Sequence, residues 1–187
     1  MSAKIILASK SPRRAEIMQK HGADFSVYVP QVTEITTCDN LPELPEINAT
    51  LKASAAADIF PGKTVIAADT VIFFENSIIG KPADIQDAHK ILKKLSGRKH
   101  QVITGCAVIN RSKNISGHFS CISDVYFKKL TDNDIQKYTS LVHVLDKAGA
   151  YAIQEHGEII IEKYSGSLEN IIGLPWDELA DFLASQH

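Results

Sequence analysis

An α/β fold with a mixed sheet is expected from three features of the chain. Short β-branched and apolar runs alternate with segments whose apolar residues recur at helical spacing. The boundaries between them carry glycine, proline or capping residues. No internal repeat, low-complexity tract or linker interrupts the alternation, so residues 1–187 read as one domain, long enough for a sizeable core or two small lobes.

Bulk properties exclude several classes. A composition of 44% hydrophobic, 22% charged and 7% aromatic residues is ordinary for a soluble globular protein. A net charge of −2 and a pI near 6.4 argue against nucleic acid or an anionic membrane as partner. MSAKIILAS is too short an apolar stretch for a signal peptide, and no later run approaches about 18 uninterrupted apolar residues. A cytoplasmic protein is expected. Cys38, Cys106 and Cys121 are odd in number and far apart, which fits reduced thiols and neither a disulfide scaffold nor a zinc site. The seven histidines show no metal-binding spacing.

In chain order, Lys4 to Ala8 reads as a short buried strand, followed at once by SKSPRR. Ser11 suits a helix N-cap and Pro12 the first helical position, with Gly22 as the stop. Arg13 and Arg14 oppose the helix dipole there by about 0.3 kcal/mol or more each. Free N–H groups and fixed positive charge at a strand–turn–helix junction suit a phosphate. Phe25 to Val29 reads as a second strand, and PQVTEITTCDNLPELP as a polar loop. Glu34 in that loop gains meaning only if the loop folds back beside Asp69, where two carboxylates share a divalent cation. Glu46 to Phe60 reads as a helix with Ile47, Leu51, Ala55 and Ile59 inward; Lys52 lies at the stripe's edge, where spacing alone marks a snorkelling lysine. Pro61-Gly62-Lys63-Thr64 imitates the end of a phosphate-binding loop, but Ala57 holds the first glycine position and the order is helix–turn–strand. It is a plain turn.

TVIAADTVIFFENSIIGKP (64–82) organises the rest. Asp69 falls inside an apolar run, where an unpaired carboxylate costs several kcal/mol and needs a partner, a metal or a proton. Glu75-Asn76-Ser77 reads as a hairpin turn, and a hairpin of this length returns Lys81 toward Asp69. Asp84 then caps a helix through Leu95, with Ile85, Ala88, Ile91, Leu92 and Leu95 inward. Lys99 to Ile109 and Ile115 to Leu130 carry strands around a polar turn. Thr131 and Asp134 form a capping box for a helix to about Leu141, with Ile135, Tyr138 and Val142 inward. DKAGAYAIQEHG is dense in small residues that admit a backbone or a flat ring, and the Gln154 amide can pair with a base edge. Glu158 to Tyr164 reads as a strand, SGSLENIIGLP as a loop, and Pro175 to Ala184 as a last helix with Leu179, Phe182 and Leu183 inward.

The residues taken together suit a polyphosphate ester with a divalent metal, several cations meeting several phosphates. No G-x-S-x-G elbow or activated cysteine offers a nucleophile, so direct hydrolysis is favoured over a covalent intermediate. LASKSPRRAEIM, AADTVI with GKP, HQVITGCAV, DKAGAYAIQ and GSLENIIGLP occur in this order and cover nearly the whole chain. They resemble the Maf family of nucleotide pyrophosphatases. The resemblance implies an elongated α/β fold of two lobes around a central cleft, related to the inosine-triphosphate pyrophosphatases. It also implies cleavage of nucleoside triphosphates to monophosphate and pyrophosphate, dependence on Mg²⁺ or Mn²⁺, and a homodimer.

SPRR, the threonine after the acid and the glutamine of AGAYAIQ are similar to the dTTP/UTP branch. The resemblance assigns Asp69 as catalytic acid, Arg13, Thr70 and Gln154 as specificity residues, and Ser9, Arg14, Lys52 and Lys81 as the phosphate lining. Glu34 joins Asp69 on the metal. Two positions depart from the pattern: Ala152 replaces a usual glycine, and Ser123 a usual threonine. The alternatives are the 7-methyl-GTP branch, or a nucleotide-binding regulator of septum formation with little turnover, since the resemblance also links the chain to house-cleaning or cell division.

Overall fold

Strand β1 (Ile5–Leu7) runs parallel to both β2 (Phe25–Val27) and β3 (Thr64–Phe74). Parallel neighbours need crossovers, and α1 (Pro12–Lys20) and α2 (Leu44–Ile59) lie on them. The computed structural model describes residues 4–186. Met1 to Ala3, which open the stretch weighed as a leader, and His187 lie outside the described residues. Among those residues, seven strands form one sheet in the order β2-β1-β3-β5-β6-β7, with β4 (Ser77–Ile79) on β3; β5 is Lys99–Asn110, β6 Ile115–Phe127 and β7 Ile161–Ser165. β3 with β4 and β6 with β7 are antiparallel, so the sheet is mixed, as expected. The remaining helices are α3 (Ile85–Leu95), α4 (Asp132–Leu141), α5 (Gly157–Ile160), α6 (Leu168–Ile172) and α7 (Trp176–Ser185).

Local chemistry explains most boundaries. Glu75 and Asn76 both have positive φ, 49° and 58°, the primed-turn geometry that matches strand twist, and Phe74 pairs directly with Ser77. The hairpin therefore closes in two residues, one fewer than expected. Asp84 Oδ1 accepts the Asp87 amide at 2.8 Å, and Thr131 and Asp134 exchange the two bonds of a capping box. Ser11 sits at the N-cap of α1 but its side chain makes no capping bond; instead its own amide donates to Ser9 Oγ at 3.2 Å.

Four expectations are corrected. α2 starts at Leu44 and buries Asn48, Ala49, Ala53, Ala56 and Ala57, while Leu51 and Ile59 face solvent. Glu158 to Ile160 lie in the short helix α5, and β7 begins only at Ile161: an apolar run this short does not distinguish strand from helix. The glycine-punctuated segment after β7 contains α6. Ile85, at the exposed start of α3, is not inward.

The chain divides into two units. Unit 1 takes in residues up to Thr70, Thr104–Cys121 and Gly173 onward; one core cluster is built mainly of small side chains, among them Ala8, Ala49, Ala53, Ala57 and Ala67 with Val65 and Ile109, and Leu7, Met18, Ile66, Leu174 and Leu179 are buried as well. Unit 2 takes in Val71–Ile103 and Ile122–Ile172, and packs Phe74, Leu92, Leu95, Phe127, Tyr138 and Tyr151.

Candidate active site

In unit 1, β3 buries Val65 to Ala68 and then brings Asp69 to the edge of that apolar run. The partner this acid requires comes from α2. Lys52 Nζ lies 2.7 Å from Asp69 Oδ1 and 2.6 Å from Glu34 Oε1. The Lys52 side chain is 12% exposed and that of Asp69 16%, so this lysine turns inward to two carboxylates and does not snorkel. The polar loop after β2 does fold back, and Glu34 meets Asp69 across one ammonium.

α2 can sit so close because β5 carries Gly105: a Cβ there would run into the backbone of Pro45 and Glu46. The first of the two arginines, Arg13, is half-buried, and its Nε has no hydrogen-bond partner among the described residues. Arg14 differs. Its guanidinium donates to Gly173 O at 2.8 Å, Ala68 O at 2.7 Å, Ser9 Oγ at 3.0 Å and Thr70 Oγ1 at 3.1 Å, four bonds from a group with five N–H donors. Burial pushes Arg14 below its ordinary pKa, while the charge of Asp69 pulls the other way. Thr70 Oγ1 lies 2.9 Å from Thr104 Oγ1, and Thr104 is fully buried. Ser9 thus joins strand β1 to α1, and Arg14 joins β1, β3 and the start of the segment leading into α7.

Unit 2 holds the other two expected residues. Lys81 is exposed just past β4, and the carbonyl of its neighbour Gly80 accepts the Gly149 amide at 3.0 Å. Gln154 is exposed on the segment that follows. That segment is fixed from beneath: the buried Tyr138 hydroxyl accepts the Ala152 amide at 3.0 Å, and Lys147 Nζ reaches His143 O at 2.6 Å, Asp146 at 3.0 Å and Glu155 at 3.2 Å. The small residues there do admit a close neighbour, since a Cβ on Gly149 would press on Ile72. Ser123, the other departure, is buried and donates to Ser167 O at 3.1 Å while accepting from Asn170 at 2.8 Å.

Thr104, Gly173 and Asn48 take part without having been singled out. Thr104 carried the same signal as Asp69, a polar side chain within an apolar strand; Gly173 and Asn48 carried none. Burial pushes the Cys106 thiol up to about 12, as suits a structural thiol. No group of three or more His, Cys, Asp or Glu side chains is placed to hold a metal among the described residues. The Asp69 and Glu34 carboxylates, which share the Lys52 ammonium in this structure, are a two-donor set. Such an all-oxygen pair fits a hard cation of the Mg²⁺ type, which takes its other ligands from phosphate and water.

Strand order and connectivity define a mixed α/β protein of the fold seen in the Staphylococcus aureus Ham1 protein, with a TM-score of 0.58 at 20% identity, covering 98% of this chain and 99% of that one. The family model for Maf-like proteins matches residues 4–186, and the chain belongs to that family. Among its relatives, the dTTP/UTP pyrophosphatase of Akkermansia muciniphila is 45% identical over 172 residues, 91% of this chain and 90% of the relative. The dTTP/UTP pyrophosphatase of Clostridioides difficile is 41% identical over 180 residues, 96% of this chain and 93% of the relative.

Proposed function

We propose that this chain is a metal-dependent nucleoside triphosphate pyrophosphatase that converts dTTP and UTP to the monophosphate and pyrophosphate. The observation that carries the reading is the Lys52 ammonium held between Asp69 and Glu34. The names of the relatives, and the Arg13 Nε left without a protein partner, support it. Asp69 takes a proton from the water that attacks the α-phosphorus. A new P–O bond forms there as the bond from the α-phosphorus to the bridging oxygen breaks, and pyrophosphate leaves with that oxygen. Arg13, Lys52 and the last N–H of Arg14 offset the charge that builds on the phosphates. Asp69 and Glu34 hold Mg²⁺ or Mn²⁺, which when bound supplies Lewis acidity toward the phosphate oxygens.

Thr70 and Arg13 contribute to substrate choice, with Arg14 and Thr104 fixing the Thr70 hydroxyl. On the family resemblance the proposal extends to Lys81 for phosphate and Gln154 for a pyrimidine with two carbonyls and a ring N–H. The same resemblance supplies the setting, a cytoplasmic homodimer that clears nucleotides or acts in cell division.

Pyrophosphate release from dTTP, UTP, CTP and 7-methyl-GTP, each with Mg²⁺, Mn²⁺ or neither, tests this. Turnover of dTTP and UTP that requires metal is expected. Asp69→Asn should slow it by about two orders of magnitude or more while thermal unfolding stays that of the wild type. Release from none of the four, or full activity in Asp69→Asn, overturns the proposal. An unchanged order of substrates in Gln154→Ala removes its part in base choice.

A further inference from the structure

Residues 28–40, the loop that carries Glu34, have no regular structure and contain no buried residue. Tyr28, at its start, packs edge-on against Phe60 and the unit 1 core, so hydrophobic contact anchors the entry of the loop rather than the stretch that carries Glu34. Ile35, the apolar residue beside Glu34, is itself 40% exposed. The ion pair to Lys52 does not suffice either: the Glu34 side chain is 55% exposed, and a pair with a partner so open to water contributes about 1 kcal/mol or less.

The stretch beside Glu34 has a further hold in Asn48. It is 3% exposed on the inner face of α2, and its amide is satisfied by one residue: Oδ1 accepts Ile35 N at 2.8 Å and Nδ2 donates to Ile35 O at 3.0 Å. A buried amide costs stability unless both its halves are paired, and an apolar residue would fill the same space without that condition. Asn48 and Lys52 are four residues apart and lie on one face of the helix. One turn of α2 thus grips the loop twice, by the backbone of Ile35 and by the carboxylate of Glu34.

We infer that Asn48 is a positioning residue for the reaction: it clamps the Ile35 backbone so that the Glu34 carboxylate stays beside Asp69, and it thereby sets the metal requirement. The inference rests on the function proposed above. Groups that orient a metal ligand typically change metal affinity by 10–100-fold when removed. Asn48→Leu keeps the volume and removes both bonds; Asn48→Asp keeps the acceptor and sets an oxygen against Ile35 O.

Two readouts apply to each variant. Amide hydrogen exchange at Ile35, measured without metal or nucleotide, should accelerate about tenfold or more in Asn48→Leu and by less in Asn48→Asp, which keeps the acceptor of that N–H. The metal concentration for half-maximal pyrophosphate release should rise about tenfold, while kcat at saturating metal stays within about twofold of wild type. Glu34→Gln should raise the metal requirement at least as far, and adding Asn48→Leu to it should raise it no further. A wild-type metal requirement in a folded Asn48→Leu, or an additive effect in the double variant, overturns the inference; should the leucine variant not fold, Asn48→Asp decides by the same measurements. A wild-type requirement in Glu34→Gln overturns the role of Glu34 and this inference with it, whereas the pyrophosphatase reading is decided separately by Asp69→Asn.

Discussion

The two units solve the packing problem with opposite materials. Unit 1 packs α2 on its strands through a cluster made largely of alanines, beside larger buried residues such as Leu7, Met18 and Leu179, whereas the core cluster of unit 2 is built of phenylalanine, tyrosine, leucine, isoleucine and valine. A buried alanine methyl contributes well under 1 kcal/mol, a buried phenylalanine about 3 kcal/mol. Small side chains give up stabilisation but let backbones approach, and close backbones are what hold short polar side chains such as Thr70, Thr104 and Asn48 in fixed geometry. The Lys52 pair with Asp69 and Glu34 and the Arg14 network lie in unit 1, while the buried Lys147 with Asp146 and Glu155 lies in unit 2.

The largest effect that tests the contrast is on the aromatic side. Phe127→Ala removes a ring packed edge-on against His100 and Tyr151 and should lower unfolding free energy by about 4 kcal/mol in urea melts; a loss under about 1 kcal/mol would remove the difference between the cores. Next comes pH. His100 is buried against Tyr151 OH at 2.7 Å, and burial lowers its pKa from 6.5 to about 4 despite the pull of Asp124. The folded state therefore excludes a proton that the unfolded chain accepts, so stability is complete above about pH 6.5 and falls as pH drops toward 4. Across that window the wild type should lose about 3 kcal/mol more than His100→Gln, and equal losses in the two proteins would refute it. The smallest change tests the close approach in unit 1: Gly105→Ala drives a methyl into the backbone of Pro45 and Glu46 and should cost about 2 kcal/mol, with α2 displaced and the metal requirement raised. Wild-type stability and kinetics in that variant would show that the contact has slack.

The same contrast explains what was legible in the sequence. Features fixed by neighbours in the chain were readable: the 64–79 hairpin, the Asp84 cap, the Thr131–Asp134 box and the Gly22 stop, which has φ +69°. Asp69 was readable because an acid in an apolar strand demands an explanation, and the partner it required is Lys52. The inner face of α2 was not. Hydrophobicity favours Leu51 and Ile59, but the face that α2 buries is set by its close approach to Gly105, a residue on a strand some sixty positions away, and carries Asn48 and four alanines. For the same reason the roles of Asn48 and Gly173 appear only in three dimensions: one pairs with a loop backbone, the other offers its carbonyl to Arg14.

The loop that carries Glu34 has a thermodynamic consequence. Because residues 33–37 are all exposed, lifting this stretch from α2 while Tyr28 stays packed on Phe60 exposes little apolar surface and so changes the heat capacity very little. Warming should then shift the stretch only gently, whereas added electrolyte weakens the lysine–glutamate attraction and frees the Glu34 side chain while Asn48 keeps the Ile35 backbone in place. The acid at its tip would answer to the ionic composition of its surroundings well before the protein as a whole begins to melt.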